Sequence, residues 1–109
     1  MGTVTEREVT AAVVRFLAER KWIAKRRNVG LFYTRDNRAV RIGKPGEPDW
    51  FFVHRKHGYL EVEMKRPGKK PDQRQEEYIA TMQAMGVRVT WTDDPAKFGR
   101  WYAENYPAE

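Results

Sequence analysis

Two carboxylates and a lysine fall close together in the stretch PDWFFVHRKHGYLEVEMK, which runs from Pro48 to Lys65. Asp49 precedes one short apolar run, and Glu63 and Lys65 end the next, which alternates apolar and polar residues. Aromatic and β-branched runs of this kind are typical of strands, and Gly58 between them favours a turn. The stretch therefore predicts two strands that carry the three charged groups at one end.

An antiparallel pairing of the two strands places these groups side by side. If the turn centres near Lys56, residues whose numbers sum to about 112 lie opposite one another. Asp49 is then across from Glu63, with Lys65 one step along the same face. Glu61 shares that face, and the alternative for all these polar residues of the second strand is the solvated side of a half-exposed strand.

This set of residues suits a hard divalent cation. Two carboxylates a few ångström apart repel one another, and a cation between them is the easiest way to keep both ionised. The sequence has no cysteine, so only oxygen ligands or its two histidines are available, and oxygen ligands suit Mg²⁺ or Mn²⁺. Such an ion acidifies a bound water and polarises a phosphodiester, while a neighbouring lysine stabilises developing charge. The pattern predicts metal-dependent phosphodiester hydrolysis.

The charge of the chain indicates a polyanionic partner. The net charge is +6, and residues 20–44 hold nine lysines or arginines against the single acid Asp36. A second basic group follows Lys65. Basic residues that neutralise phosphates release condensed counterions, which favours nucleic-acid binding, although a solvated basic face is the alternative. The predicted phosphate ligands are Arg26, Arg27, Lys44, Lys69 and Lys70.

The first helix supplies another acid. Apolar residues recur at helical spacing between Thr5 and Arg20, and Glu6 falls on the edge of that apolar stripe while Glu8 points away from it. Thr5 with Glu8 fits a capping box, as does Thr3 with Glu6, so an N-terminal cap is the alternative role for either glutamate. Glu6 is the one that could face a site.

The remaining elements follow from turn and capping signals. The segments Trp22–Arg27, Leu31–Thr34 and Ala39–Ile42 indicate strands or an extended basic arm, and the proline- and glycine-rich residues 43–48 and 66–71 indicate loops. A helix is predicted from Gln73 to Met85, then a strand over Val87–Thr92, then a helix opened by Asp94 and Pro95. Gln75 either closes a capping box with Asp72 or leans over the site.

The order of these residues resembles the PD-(D/E)xK nuclease superfamily and, more narrowly, the VRR-NUC family of virus-type replication-repair nucleases in their small stand-alone phage or viral form. The similarity runs from about Thr5 to Thr92. ExK alone is frequent by chance, whereas five elements in register are more specific. The matching residues are Glu6, Gly46-Glu47-Pro48-Asp49, Glu63-Met64-Lys65, Gln75, Gly86 and the stretch Arg27-Asn28-Val29-Gly30.

The resemblance implies an α/β fold, with an α+β mixed sheet and a restriction-endonuclease-like αβββαβ core, and Mg²⁺- or Mn²⁺-dependent cleavage of DNA, preferentially branched DNA such as Holliday junctions or flaps. By the same resemblance Asp49 and Glu63 would bind the metal, together with the backbone carbonyl of Met64. Lys65 would be the catalytic lysine. The resemblance further implies that Glu6 is an additional ligand acting directly or through water, that Gln75 supports the site and that Asn28 belongs to the DNA-binding residues.

Length and composition predict one domain over residues 1–109, soluble and cytoplasmic, with no membrane partner. A homodimer is expected, because a two-fold branched substrate is most easily cut by a two-fold enzyme. Some of the aromatic residues would form the dimer surface, with core packing as the alternative for each: Trp22, Phe32, Tyr33, Trp91, Trp101 and Tyr102. The competing functions are a non-catalytic nucleic-acid-binding module, and a restriction- or mismatch-type nicking nuclease that uses the same site.

Overall fold

Three helices and six strands follow one another in the computed structural model, which describes residues 3–27, 30–42 and 45–108. Most bounds lie within two residues of the predicted ones. The elements are α1 (Glu6–Glu19), β1 (Ile23–Arg26), β2 (Gly30–Tyr33), β3 (Ala39–Ile42), β4 (Trp50–His54), β5 (Gly58–Met64), α2 (Gln73–Ala84), β6 (Val89–Thr92) and α3 (Pro95–Asn105).

Strands β1, β4, β5 and β6 form one mixed sheet in that order. β4 is antiparallel to both β1 and β5, whereas β6 is parallel to β5 and is reached through α2. Without the β2–β3 hairpin, the chain reads αβββαβ and then α3. The molecule is thus one small α+β domain, and the predicted fold class is confirmed.

The β4–β5 register agrees with the prediction from the sequence. Trp50 pairs with Val62 and His54 with Gly58, so the turn centres on Lys56. Gly58 has a φ of 78°, a value that glycine adopts without the steric cost of a side chain. The alternation of apolar residues in β5 and a permissive turn residue were sufficient to set this pairing.

The core lies between the sheet and helices α1 and α3. Val9, Val13 and Leu17 form the fully buried stripe of α1. They pack with apolar side chains of β4 and β5, such as Phe52 and Leu60, in one cluster. Helical spacing on α1 and strand alternation on β5 therefore meet in a single apolar layer.

Two of the candidate dimer aromatics belong to this core. Trp22 is 3% exposed and donates from Nε1 to the hydroxyl of Tyr102 at 2.9 Å. Trp91 and Trp101 are half-buried, while Tyr33 is exposed. The side chain of Phe32 lies outside the described residues. Of the five candidate dimer aromatics whose side chains the structure describes, only Tyr33 is therefore exposed.

Strands β2 and β3 form a separate two-stranded antiparallel sheet. Within the described part of the chain, this hairpin contacts none of the other helices and strands. Tyr33 and Val40 are both exposed on it. The same described residues include no helix with the length and apolar character needed to cross a membrane.

Candidate metal and catalytic site

A cleft of about 580 Å³ lies between the start of α1, the start of β4 and the end of β5. It brings together three carboxylates from three parts of the chain, Glu6, Asp49 and Glu63. Glu6 is the first residue of α1, Asp49 precedes β4, and Glu63 is the second-last residue of β5. The other lining residues are Arg7, Thr10, Ala11, Val14, Arg26, Trp50, Val62 and Met64.

Glu6, not Glu8, faces this cleft. Thr5 caps α1 by accepting the backbone N–H of Glu8 at 3.2 Å, and the Thr5 hydroxyl lies 3.3 Å from the Glu8 carboxylate. Glu8 is therefore engaged in the cap on the solvent side. Of the two alternatives offered by the sequence, the capping role belongs to Glu8.

Glu63 is the most constrained of the three carboxylates. Its side chain is 12% exposed, and its Oε1 lies 3.5 Å from Lys65 Nζ. Burial, helped by the charges of Asp49 and Glu6 and opposed by Lys65, raises the pKa of Glu63 to about 7. Asp49 and Glu6 are thus close enough to act on the protonation of Glu63, which is the condition in which a cation beside Glu63 is favourable.

Gln75 takes both of the roles that the sequence left open. Its Oε1 accepts the backbone N–H of Asp72 at 2.9 Å, and Asp72 in turn accepts the Gln75 N–H, which completes a capping box at the start of α2. Its Nε2 donates to Glu63 Oε1 at 3.1 Å. One side chain therefore fixes the helix terminus and orients the Glu63 carboxylate.

Lys65 is 8% exposed and follows β5 directly. Its backbone N–H donates to Thr92 of β6 at 2.9 Å, which extends the parallel pairing by one residue. A buried ammonium needs a counter-charge, and Glu63 supplies it. Lys65 is connected to the cleft through Glu63 and is not itself one of the residues that line it.

The backbone carbonyl of Met64 is directed towards β4. The Lys65 N–H bonds β6, and in a trans peptide the preceding carbonyl points the opposite way. The β4–β5 ladder ends at the Trp50–Val62 pair, and the same register places Met64 opposite Pro48, which precedes β4 and has no N–H to donate. Continuation of this register would therefore leave the Met64 carbonyl, at the wall of the cleft, without a backbone donor from Pro48.

These oxygens fit a small hard cation. In the described part of the chain, no three acidic, histidine or cysteine side chains form by themselves a group that could hold a metal ion. Mg²⁺, however, usually keeps several waters and is held by one or two carboxylates. Asp49 and Glu63 supply two carboxylates of this kind, and Met64 and Glu6 line the same cleft.

Glu61 corrects one expectation. It is 1% exposed, so this face of β5 is not the solvated side of a half-exposed strand. Tyr78 of α2 covers it and donates to Glu61 Oε1 at 2.9 Å, while the Tyr59 hydroxyl donates to Oε2 at 2.6 Å. Burial, followed by the bond to Glu61, raises the pKa of Tyr59 to about 12, so the tyrosine stays a donor.

Arg27 is paired with two carboxylates inside the domain. It was predicted to bind phosphate, but its side chain is 18% exposed and pairs with the carboxylates of Glu47 and Glu61 at 2.6 and 2.5 Å. A guanidinium already paired with two carboxylates has less attraction for a phosphate. No local pattern in the sequence indicated this cluster, because the cluster depends on α2 covering β5.

The other residues predicted to bind DNA differ in their positions relative to the cleft. Arg26 lines it, and Lys69 and Lys70 are exposed on the loop after Lys65. Asn28 and Lys44 lie outside the described residues. Arg7 also lines the cleft and was missed, although its position beside Glu6 on the first turn of α1 was a usable signal.

Comparisons of the chain with models of known protein families, with characterised proteins and with solved structures found no match in any of the three.

Proposed function

We propose that this protein is a metal-dependent DNA endonuclease of the PD-(D/E)xK type, similar to the stand-alone VRR-NUC nucleases. One observation carries the proposal. Glu6, Asp49 and Glu63 line one cleft, and Lys65 contacts Glu63. A largely buried carboxylate beside a buried lysine, with two exposed carboxylates lining the same cleft, is unfavourable for a purely structural region, because like charges repel and burial penalises the charged form.

Asp49, Glu63 and the Met64 carbonyl would hold Mg²⁺ or Mn²⁺, and Glu6 would accept a hydrogen bond from a water of the ion. The ion, when bound, would acidify a water and polarise the scissile phosphate. Lys65 would stabilise negative charge that develops on the phosphate oxygens. Gln75 keeps the Glu63 carboxylate in one orientation through its 3.1 Å bond.

Arg7 and Arg26 would hold the DNA backbone on either side of the cleft that both line. Lys69 and Lys70 extend the basic surface along the loop beyond Lys65. Such contacts are to phosphates and do not depend on base sequence. We further propose that the substrate is branched DNA and that the active form is a homodimer, whose two sites meet two strands of a junction.

The experiment that tests this function compares a four-way junction, a flap and a linear duplex that share one sequence. Each is incubated with magnesium, manganese, calcium or a chelator. Cleavage should appear with magnesium or manganese and should favour branched DNA. Calcium should support binding with little cleavage, because its looser coordination leaves the attacking water poorly placed.

Variants separate the roles within the site. Lys65→Ala should abolish cleavage and keep metal binding, while Glu63→Ala should lose both. Asp49→Asn should lose cleavage and keep DNA binding. Glu6→Gln should reduce the cleavage rate, whereas Glu8→Gln, a matched change on the same helix turn but in the cap, should leave it unaltered.

The competing functions give different results in the same assay. If all three DNA substrates bind tightly and survive every metal, the protein is a nucleic-acid-binding module and the nuclease proposal is wrong. If the linear duplex is cut as well as the junction, the protein acts as a restriction- or mismatch-type nuclease through the same residues.

A further inference from the structure

Arg27 is bonded to three successive residues of the segment that ends in Asp49. Its Nε lies 2.6 Å from a carboxylate oxygen of Glu47, and its Nη1 donates to the carbonyl of Pro48 at 3.3 Å. Its backbone N–H donates to the carbonyl of Asp49 at 2.6 Å. One arginine therefore fixes the backbone segment that carries the Asp49 side chain.

The other edge of the Arg27 guanidinium is bonded to β5. Nη2 lies 2.5 Å from Glu61 Oε2 and also donates to the hydroxyl of Tyr59. Glu61 is two residues before Glu63 on the same strand and the same face, and Tyr59 and Tyr78 hold it in place. The guanidinium thus connects the segment that carries Asp49 to the strand that carries Glu63.

The same segment is held from its other side at Gly46. A Cβ built on Gly46 would lie 2.3 Å from the backbone carbonyl oxygen of Arg74, so only glycine permits this approach. Arg74 belongs to the first turn of α2, next to Gln75, which bonds Glu63. The segment is therefore fixed between Arg27 and the start of α2.

A planar guanidinium suits this task because its donors point in fixed directions, whereas a lysine ammonium is a compact charge on a flexible stem. Asp49 and Glu63 repel one another when both are ionised, and without restraint the segment would move away from β5. A burial-driven ion pair that merely stabilises the fold is the alternative role for Arg27.

We infer that Arg27 is a positioning residue of the metal site: by joining residues 47–49 to Glu61, it sets the separation of the Asp49 and Glu63 carboxylates before a cation binds. This inference rests on the proposed function. It assigns Arg27 a role towards the metal and none towards DNA phosphates. Residues that orient metal ligands in this way typically change metal affinity by about 10- to 100-fold when altered.

The test compares Arg27→Lys with Arg38→Lys. Both change an arginine that pairs with an acid, but Arg38 and its partner Asp36 are 80% and 65% exposed, away from the cleft. Calorimetry with Mn²⁺ alone should show a dissociation constant about 10- to 100-fold higher for Arg27→Lys and an unchanged value for Arg38→Lys. In the metal-free protein, amide hydrogen exchange of the peptide over residues 45–50 should also be faster in Arg27→Lys.

Cleavage separates positioning from stability. At saturating manganese Arg27→Lys should recover most of the wild-type rate, with a shifted metal half-saturation, because the groups that react are intact. Unchanged Mn²⁺ affinity in a folded variant would overturn the inference. A loss of DNA affinity in calcium with unchanged Mn²⁺ affinity would overturn it too, and would make Arg27 a phosphate ligand.

If Arg27→Lys does not fold, Glu61→Gln tests the positioning role of Arg27 instead. The amide keeps the size of the side chain and an acceptor for one tyrosine, but removes the charge that binds the guanidinium. It should weaken Mn²⁺ binding in the same direction. If the wild-type protein binds no Mn²⁺, the proposed function fails and the inference with it. If the wild type binds Mn²⁺ and both variants bind it equally well, only the inference fails.

Discussion

Glu63 is a carboxylate that folding makes hard to ionise. Burial, helped by the charges of Asp49 and Glu6, raises its pKa to about 7 from an ordinary value of 4.5. The folded chain therefore binds this proton more tightly than the unfolded chain does. By linkage, the stability that protonated Glu63 contributes is present at low pH and is lost as the pH rises from 4.5 towards 7.

The metal-free protein should consequently lose stability between pH 5 and pH 7.5, by on the order of 3 kcal/mol if Glu63 acted alone. Denaturant unfolding in a chelator measures the difference. Glu63→Gln should flatten the curve over this range, since a neutral amide has nothing to titrate. A variant curve that runs parallel to the wild-type curve would assign the effect to other groups.

Arg7 allows a second test at the scale of one residue. It lines the cleft from the first turn of α1, whereas Arg15 lies on the same helix outside the cleft. Arg7→Ala should weaken binding to every DNA sequence alike in calcium and reduce the slope of log affinity against log salt by about 0.9. Fluorescence anisotropy at several salt concentrations measures this. Equal losses in Arg7→Ala and Arg15→Ala would show only a general effect of net charge.

At the scale of elements, the sequence predicted well those features that depend on local chemistry. Thr5 as a helix cap, Gly58 as a turn and the alternation in β5 each depend on a few neighbouring residues, so their bounds and register could be derived. The roles of Glu61 and Arg27 could not. Their burial depends on α2 packing over β5 after a crossover, which no local pattern encodes.

The segment before β4 gives a matched pair of glycine variants. Gly46 and Gly68 both have a φ of 85°, but a Cβ on Gly46 would meet Arg74 while one on Gly68 meets no described atom within 4 Å. Gly68→Ala should cost only the left-handed backbone strain, about 1 to 2 kcal/mol. Gly46→Ala should cost clearly more, because backbone must move.

Thermal and denaturant unfolding of the two alanine variants measures that difference. Gly46→Ala should also weaken Mn²⁺ binding, because the displaced segment carries Asp49, whereas Gly68→Ala should leave Mn²⁺ affinity near the wild-type value. Equal stability losses in the two variants would mean that the segment before β4 adapts without strain and is not fixed against α2.

At the scale of the whole molecule, the sheet order places the carboxylates. β5 lies between β4 and β6, so the end of β5 is next to the segment before β4 on one side and the end of β6 on the other. The αβββαβ order was expected only from the family resemblance, since strand order is a long-range property. The sequence predicted the separate β2–β3 sheet less well, because the residues of these strands were compatible with either strands or an extended basic arm.

That hairpin supplies the test of the homodimer. A two-stranded sheet is marginal by itself, and within the described residues this one contacts no other element while exposing Tyr33 and Val40. A second copy of the chain would cover these side chains and pair an open strand edge. Sedimentation should therefore show a particle of about 26 kDa, twice the 12.9 kDa chain.

Tyr33→Ser should shift the protein towards monomer, whereas Met85→Ser, which removes an equally exposed apolar side chain at the end of α2, should not. The monomer should keep metal binding and slow nicking, because each site is built from one chain. It should lose the preference for four-way junctions over linear duplex, since that preference depends on two linked sites. A monomeric wild type that still prefers junctions would contradict the dimer and place branch recognition in a single chain.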